Sequence, residues 1–135
     1  DFPNPGGYTA AKVHSPFEGD LVRASVTEAG VMDKILPPAD CKCALAKRVS
    51  DYLAATGALV VPFYQMEKAG GLAPGDPRGP ALATRQIAGG ASELRDLIVE
   101  AWRVSASESV GYKPVSVADV VAGKVDPYPG LYGVD

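Results

Sequence analysis

The sequence predicts a small α+β domain with an extended arm at each end. Three features carry that expectation: two short apolar runs divided by a turn signal near residue 30, one strongly amphipathic helix at 92–106, and termini crowded with proline and glycine. A single globular domain is placed at 20–124, between arms at 1–19 and 125–135.

The opening "DFPNPGGYTAAKVHSPFEG" holds three prolines and three glycines and no sustained periodicity, so residues 1–19 read as an extended arm. Two apolar runs follow, Leu21 to Val26 and Val31 to Leu36, separated by "TEAG" and stopped by Pro37 and Pro38. A hairpin turning at Ala29-Gly30 is the preferred reading. Its rival is a helix opened by Ser25, with Glu28 three positions on at capping-box spacing.

In "DCKCALAKRVSDYLAATGALVVPFY", helical spacing puts Leu45, Val49, Tyr52, Leu53 and Thr56 on one face. Asp40 can cap the start and Gly57 can end it, which favours a helix over 41–56. The competing reading pairs "SDYLAA" with "ALVVPFY" as strands of a small barrel. Both make 59–61 a buried strand, confined by Pro62 to an edge or an end. With these runs, the few short strands of the domain fall between about 20 and 66.

Glycine and proline crowd 67–81, "EKAGGLAPGDPRGPA", which reads as a long surface loop. A break at Gly89-Gly90 precedes the main helix, "SELRDLIVEAWRVSAS", with Ser92 as its cap. Leu94, Leu97, Ile98, Ala101 and Trp102 form its apolar stripe, and Arg95, Asp96, Glu100 and Arg103 its solvated face. Membership of that stripe assigns Trp102 to the core, with an interface anchor as the alternative. A short helix at 116–123 closes the domain, with Asp119 three positions after Ser116 and Gly123 as its stop.

The chemistry is sparse. The formal net charge is −3 and the pI about 5.1, with lysine and arginine spread singly, so the stripe of cations that neutralises phosphates is missing and no direct nucleic-acid partner is expected. No apolar run approaches the roughly 20 residues of a membrane span. Cys41 and Cys43 are too few for a disulfide framework. A first-turn position beside Lys42 would favour a Cys41 thiolate, so a small thiol-dependent enzyme or redox protein is the alternative of another class. Zinc lacks ligands, because His14 is the only histidine. His14 has Ser15, Glu18 and Asp20 close by, but the members of a catalytic triad normally come from separate segments, so a local hydrogen bond is the expected role. The glycine-rich loop has no lysine followed by serine or threonine, as a phosphate-binding loop requires. No cofactor, metal or catalytic residue is assigned.

Partner binding is assigned instead to side chains outside any periodic segment. Tyr8, Tyr112, Tyr128 and Tyr132 lie beside or near glycine or proline, where an internal core has little claim on them, and Phe2, Leu131 and the loop Arg78 join them. The expected function is a non-enzymatic structural or accessory subunit of a multi-copy protein assembly, docking through its arms. A virion capsid accessory or cement protein is the concrete case favoured, and an accessory subunit of an organellar or envelope complex is the alternative. Asp1 as first residue suggests a trimmed precursor.

Overall fold

A computed structural model describes residues 13–39, 44–110 and 114–129 of the chain. The fold is α+β and mostly helical, and its one sheet among the described residues is a two-stranded antiparallel ribbon. The chain divides into two compact units, Asp1–Ser92 and Glu93–Asp135. The division falls inside the principal helix.

The first unit opens with a wide, π-helical segment, Ser15–Leu21, continuous with α1 (Val22–Ser25). Pro16 sits in its first turn, where the missing N–H loses no helical bond, and Glu18 complements the positive helix start. These two facts overturn two expectations: residues 15–19 are helical rather than an extended arm, and 21–26 is not a strand. The next helix, α2 (Glu28–Met32), is capped by Thr27, whose Oγ1 accepts from the Gly30 amide at 3.1 Å. The helical rival at this site was therefore the better reading, with the cap moved from Ser25 to Thr27.

The favoured helix in the next stretch is present as α3 (Leu45–Gly57). Residues 40–43, with the proposed Asp40 cap, lie outside the described residues. After Gly57 the backbone stays helical at Ala58 and Leu59 and enters α4 (Val60–Lys68), so the strand expected at 59–61 is a helix. Pro62 fits because it occupies the first turn of α4, whose amides lack intrahelical acceptors in any case. No strand of the described residues lies between 20 and 66.

Only 69–77 separates α4 from α5 (Arg78–Ser105), so the loop is shorter than expected at both ends. Gly70 ends α4 with φ +78°, and the Gly71 amide reaches back to the Met66 carbonyl at 2.8 Å while the Gly70 amide meets Glu67 O at 2.9 Å, a left-handed helix stop. The 28 residues of α5 run straight through Gly89-Gly90. Two glycines cost about 1 kcal/mol each in helix propensity, which tertiary packing overrides here.

That packing is visible along residues 78–92. A methyl group at Gly79 would overlap Leu21, one at Gly30 would touch Thr84, and one at Gly90 would meet the Tyr52 hydroxyl at 3.4 Å. Ser92, expected as a cap, is buried mid-helix. Its Oγ donates to the Ala88 carbonyl at 2.7 Å and accepts the Leu36 amide at 2.9 Å, pinning the 33–39 connection to the helix. Phe17 and Phe63 meet edge to face at 4.9 Å. The first half of α5 is thus the axis of this unit.

In the second unit, the rest of α5 leads to β1 (Ser109–Val110) and β2 (Val115–Ser116), paired Ser109 to Ser116 and Val110 to Val115. β2 runs directly into α6 (Val117–Val121). Gly123 stops it as expected: its φ is +69°, and the amides of Gly123 and Lys124 return to the carbonyls of Val120 and Asp119 at 2.9 Å each.

Candidate functional site

Much of the apolar stripe of α5 in the second unit is exposed, contrary to the sequence expectation. Leu94 and Ile98 are each 59% exposed and Trp102 is 70% exposed, while Leu97 is half-buried. On the other side, Asp96 holds Arg95 through a 2.7 Å bond to Nε, with the Asp96 side chain only 9% exposed. Glu100 and Arg103 form an outer ion pair at 2.6 Å, and the carboxylate raises the already high pKa of the guanidinium. A stripe expected to face a core faces outward, and Trp102 stands as a surface residue. Helical periodicity identifies a stripe but not the side on which it is covered.

A second stripe appears on α3, in the first unit. Leu45, Val49, Tyr52 and Leu53 recur at helical spacing, and all four are exposed. The same unit carries an apolar groove of about 420 Å³, floored by Phe17, Leu59, Val60, Phe63 and Leu82. His14 and Glu18 stand at its rim, with Nδ1 to Oε1 at 3.4 Å. That is the local contact expected of a histidine in this neighbourhood, and both side chains are largely in solvent.

Arg78 is engaged by its own chain. Its Nε and Nη2 donate to the Asp76 carboxylate, the shortest bond being 2.7 Å, and Nη2 also donates to the Ala69 carbonyl at 3.1 Å. The Arg78 backbone amide bonds Asp76 Oδ1 at 2.9 Å. Hydrogen bonds from Arg78 hold the Asp76 carboxyl down to about 2. The clamp ties the end of α4 to the start of α5, a role that sequence reasoning missed; the signal was the acid-proline-arginine order of "DPR", which places the carboxylate two residues ahead of the helix's first amide.

Of the other partner-binding candidates, Tyr128 is described: it is 67% exposed, with its backbone amide on Asp126 Oδ1 at 3.0 Å. Phe2, Tyr8, Tyr112, Leu131 and Tyr132 lie outside the described residues, as do Cys41 and Cys43. Among the described residues no three His, Cys, Asp or Glu side chains are grouped to hold a metal ion, and no helix is long and apolar enough to cross a membrane. Comparison with known proteins returned no matching family model, curated protein or solved structure.

Proposed function

We propose that this chain is a non-enzymatic structural or accessory subunit of a larger protein assembly. One observation carries the reading: many of the large apolar side chains of the described residues are exposed. The hydrophobic residues buried among them are Ala83 and Ala88, and no large side chain is fully buried. Several of the exposed ones lie in stripes on α3 and on the end of α5, and contiguous apolar surface of that kind marks a protein contact. The virion accessory or cement role is the concrete form of the proposal, and it draws on the composition of the terminal arms.

The test is the native mass of the particle isolated from its source without denaturant. A mass well above 14.0 kDa, with this chain as a stoichiometric component, is the expected result. A folded 14.0 kDa monomer in that preparation would remove the proposal.

A further inference from the structure

We infer that the trough between α4 and α5 in the first unit binds an apolar carboxylate, with the ligand's carboxylate on Arg85 and its hydrocarbon body against α4. This goes beyond the assembly reading and does not depend on it. The trough has a volume of about 440 Å³, within the range of small-ligand sites. Its walls are Leu59, Pro62, Phe63 and Met66 along α4, and Ala81 and Leu82 on α5. The α4 residues recur at three- and four-residue spacing, so they share one helix face, and from Leu59 to Met66 that face runs about 10 Å. Leu59, Phe63, Met66 and Leu82 are each half-buried, so the chain's own packing leaves part of every one of them in contact with water.

Charge identifies the occupant. Arg78 and Arg85 line the trough, and among the described residues no carboxylate does. Arg78 sits at the Met66 end: a methyl group at Gly71 would run into Met66 Cγ and stand 3.3 Å from Arg78 Cζ. Its charge is answered by Asp76 at 2.7 Å. Arg85, two turns further along α5, is exposed and makes no hydrogen bond or ion pair among the described residues. In a chain of net charge −3 it is an unanswered cation beside an open apolar wall. A guanidinium takes a carboxylate bidentately, through two parallel N–H donors, and apolar surroundings strengthen that pair. The companion groove over Phe17 gives no such signal, because its rim groups, His14 and Glu18, engage each other at 3.4 Å. Only an amphiphile answers both features of the trough: a plain hydrocarbon would leave Arg85 unpaired, and a small hydrophilic anion would leave the wall wet.

Octanoate, whose chain matches the length of the wall, is the probe. It is titrated into the full-length chain by calorimetry, and the Arg85 Nε–Hε resonance and the backbone amides of α4 are followed by NMR in parallel. The expected result is one saturable site with shifts at Arg85 and along α4, and octanol, the same chain without the charge, bound at least roughly tenfold more weakly. Arg85→Met, which keeps a stem and removes the charge, should weaken octanoate by roughly tenfold, and Arg85→Lys, which keeps the charge without the fork, should fall between. Ala81→Phe, at an exposed position in the first turn of α5, fills the trough and should abolish binding. Arg103→Met removes an exposed cation from the second unit and should change nothing. Helix content by circular dichroism accompanies each variant; should Ala81→Phe lose helix, Arg85→Met decides alone.

Absence of saturable octanoate binding would overturn the inference. Octanol bound as tightly as octanoate would also overturn it, because Arg85 would then read no charge, and so would an affinity indifferent to Arg85→Met, because the carboxylate would lie elsewhere. Octyl phosphate bound more tightly than octanoate would replace the carboxylate with a phosphate monoester. Capture by phosphatidylglycerol vesicles that needs Arg85, with octanoate inert, would replace the free ligand with a lipid surface. The assembly reading is decided separately, by the mass of the native particle.

Discussion

Gly79→Ala tests the packing of α5 most directly, because the space at that position is measurable. The added methyl carbon would stand 2.7 Å from Leu21 Cδ1 and 2.8 Å from the Gly71 carbonyl oxygen. Both distances are far inside contact. Leu21 can rotate away, but the carbonyl cannot retreat freely, since it accepts the Gly79 amide itself at 3.0 Å. Overpacking of this kind costs about 1–3 kcal/mol, and weakening the bond adds about 0.5–1.5 kcal/mol. Against that stands at most ~1 kcal/mol of helix propensity gained by alanine, and less in the first turn. A net loss of about 1–3 kcal/mol is expected. Gly89→Ala is the matched control: it lies in the interior of the same helix with no neighbouring side chain or strand within 4 Å, so it should stabilise by about 0.5–1 kcal/mol. Urea unfolding followed by far-ultraviolet circular dichroism measures both changes at one fixed protein concentration. Two changes of the same sign, or a stabilised Gly79→Ala, would refute the close approach of Leu21 and the Gly71 carbonyl to α5.

The remaining predictions concern charge, face and thiols. The Asp76 carboxyl, held near 2 by its bonds from Arg78, should titrate well below an ordinary aspartate in a carbon-detected NMR titration. Because its folded pKa lies below the unfolded value near 3.8, the stabilisation is complete above pH 4 and fades as pH falls toward 2; Arg78→Ala should move the midpoint up toward 3.8, and a wild-type midpoint already there would dismiss the clamp. Ile98→Ala should change the unfolding free energy of the monomer by no more than about 0.5 kcal/mol, measured below the association range, whereas Leu97→Ala should cost more; equal losses would return the stripe to the interior. Iodoacetamide trapping across pH should find Cys41 and Cys43 unreactive below pH 7, and a cysteine alkylated there would restore the thiol-enzyme alternative.

Local chain physics was legible in the sequence where it decided the outcome alone. The stop at Gly123 needed only a left-handed residue after an apolar turn, and the helix through 94–104 needed only its 3.6-residue period. The α3 helix likewise followed from Leu45, Val49 and Tyr52. Reading failed where two local solutions were close in energy. The run Leu21 to Val26 suits a strand or a helix by composition, and Pro16 five residues before it, in a position that starts helices, was the overlooked tie-breaker. Gly89-Gly90 looked like a break because its propensity cost is local, whereas the contacts that offset it come from Tyr52 and the 28–36 segment. Ser92 was misread for the same reason: its hydroxyl serves Leu36, 56 residues away, a partner no short-range pattern reveals. The sidedness of α5 is a different kind of failure. A stripe such as Leu94, Ile98 and Trp102 has the same period whether it meets its own domain or another molecule.

The sidedness of α5 also determines how folding and association are related. A helix that kept Leu94, Ile98 and Trp102 inside would place their burial energy in the monomer, and its stability would be independent of concentration. With those residues outside and the Arg95–Asp96 pair drawn inward, the same apolar area stabilises the fold only when another surface covers it. By mass action, such a contact adds stability as RT ln of the ratio of partner concentration to dissociation constant, so at a hundredfold excess it contributes about 2.7 kcal/mol. For a domain with so few buried large side chains, that is a substantial share of a total that is ordinarily 5–15 kcal/mol. Selection for assembly and selection for stability would then act on the same residues, and a polar substitution at Ile98 would lower both in the cell while leaving the dilute monomer intact.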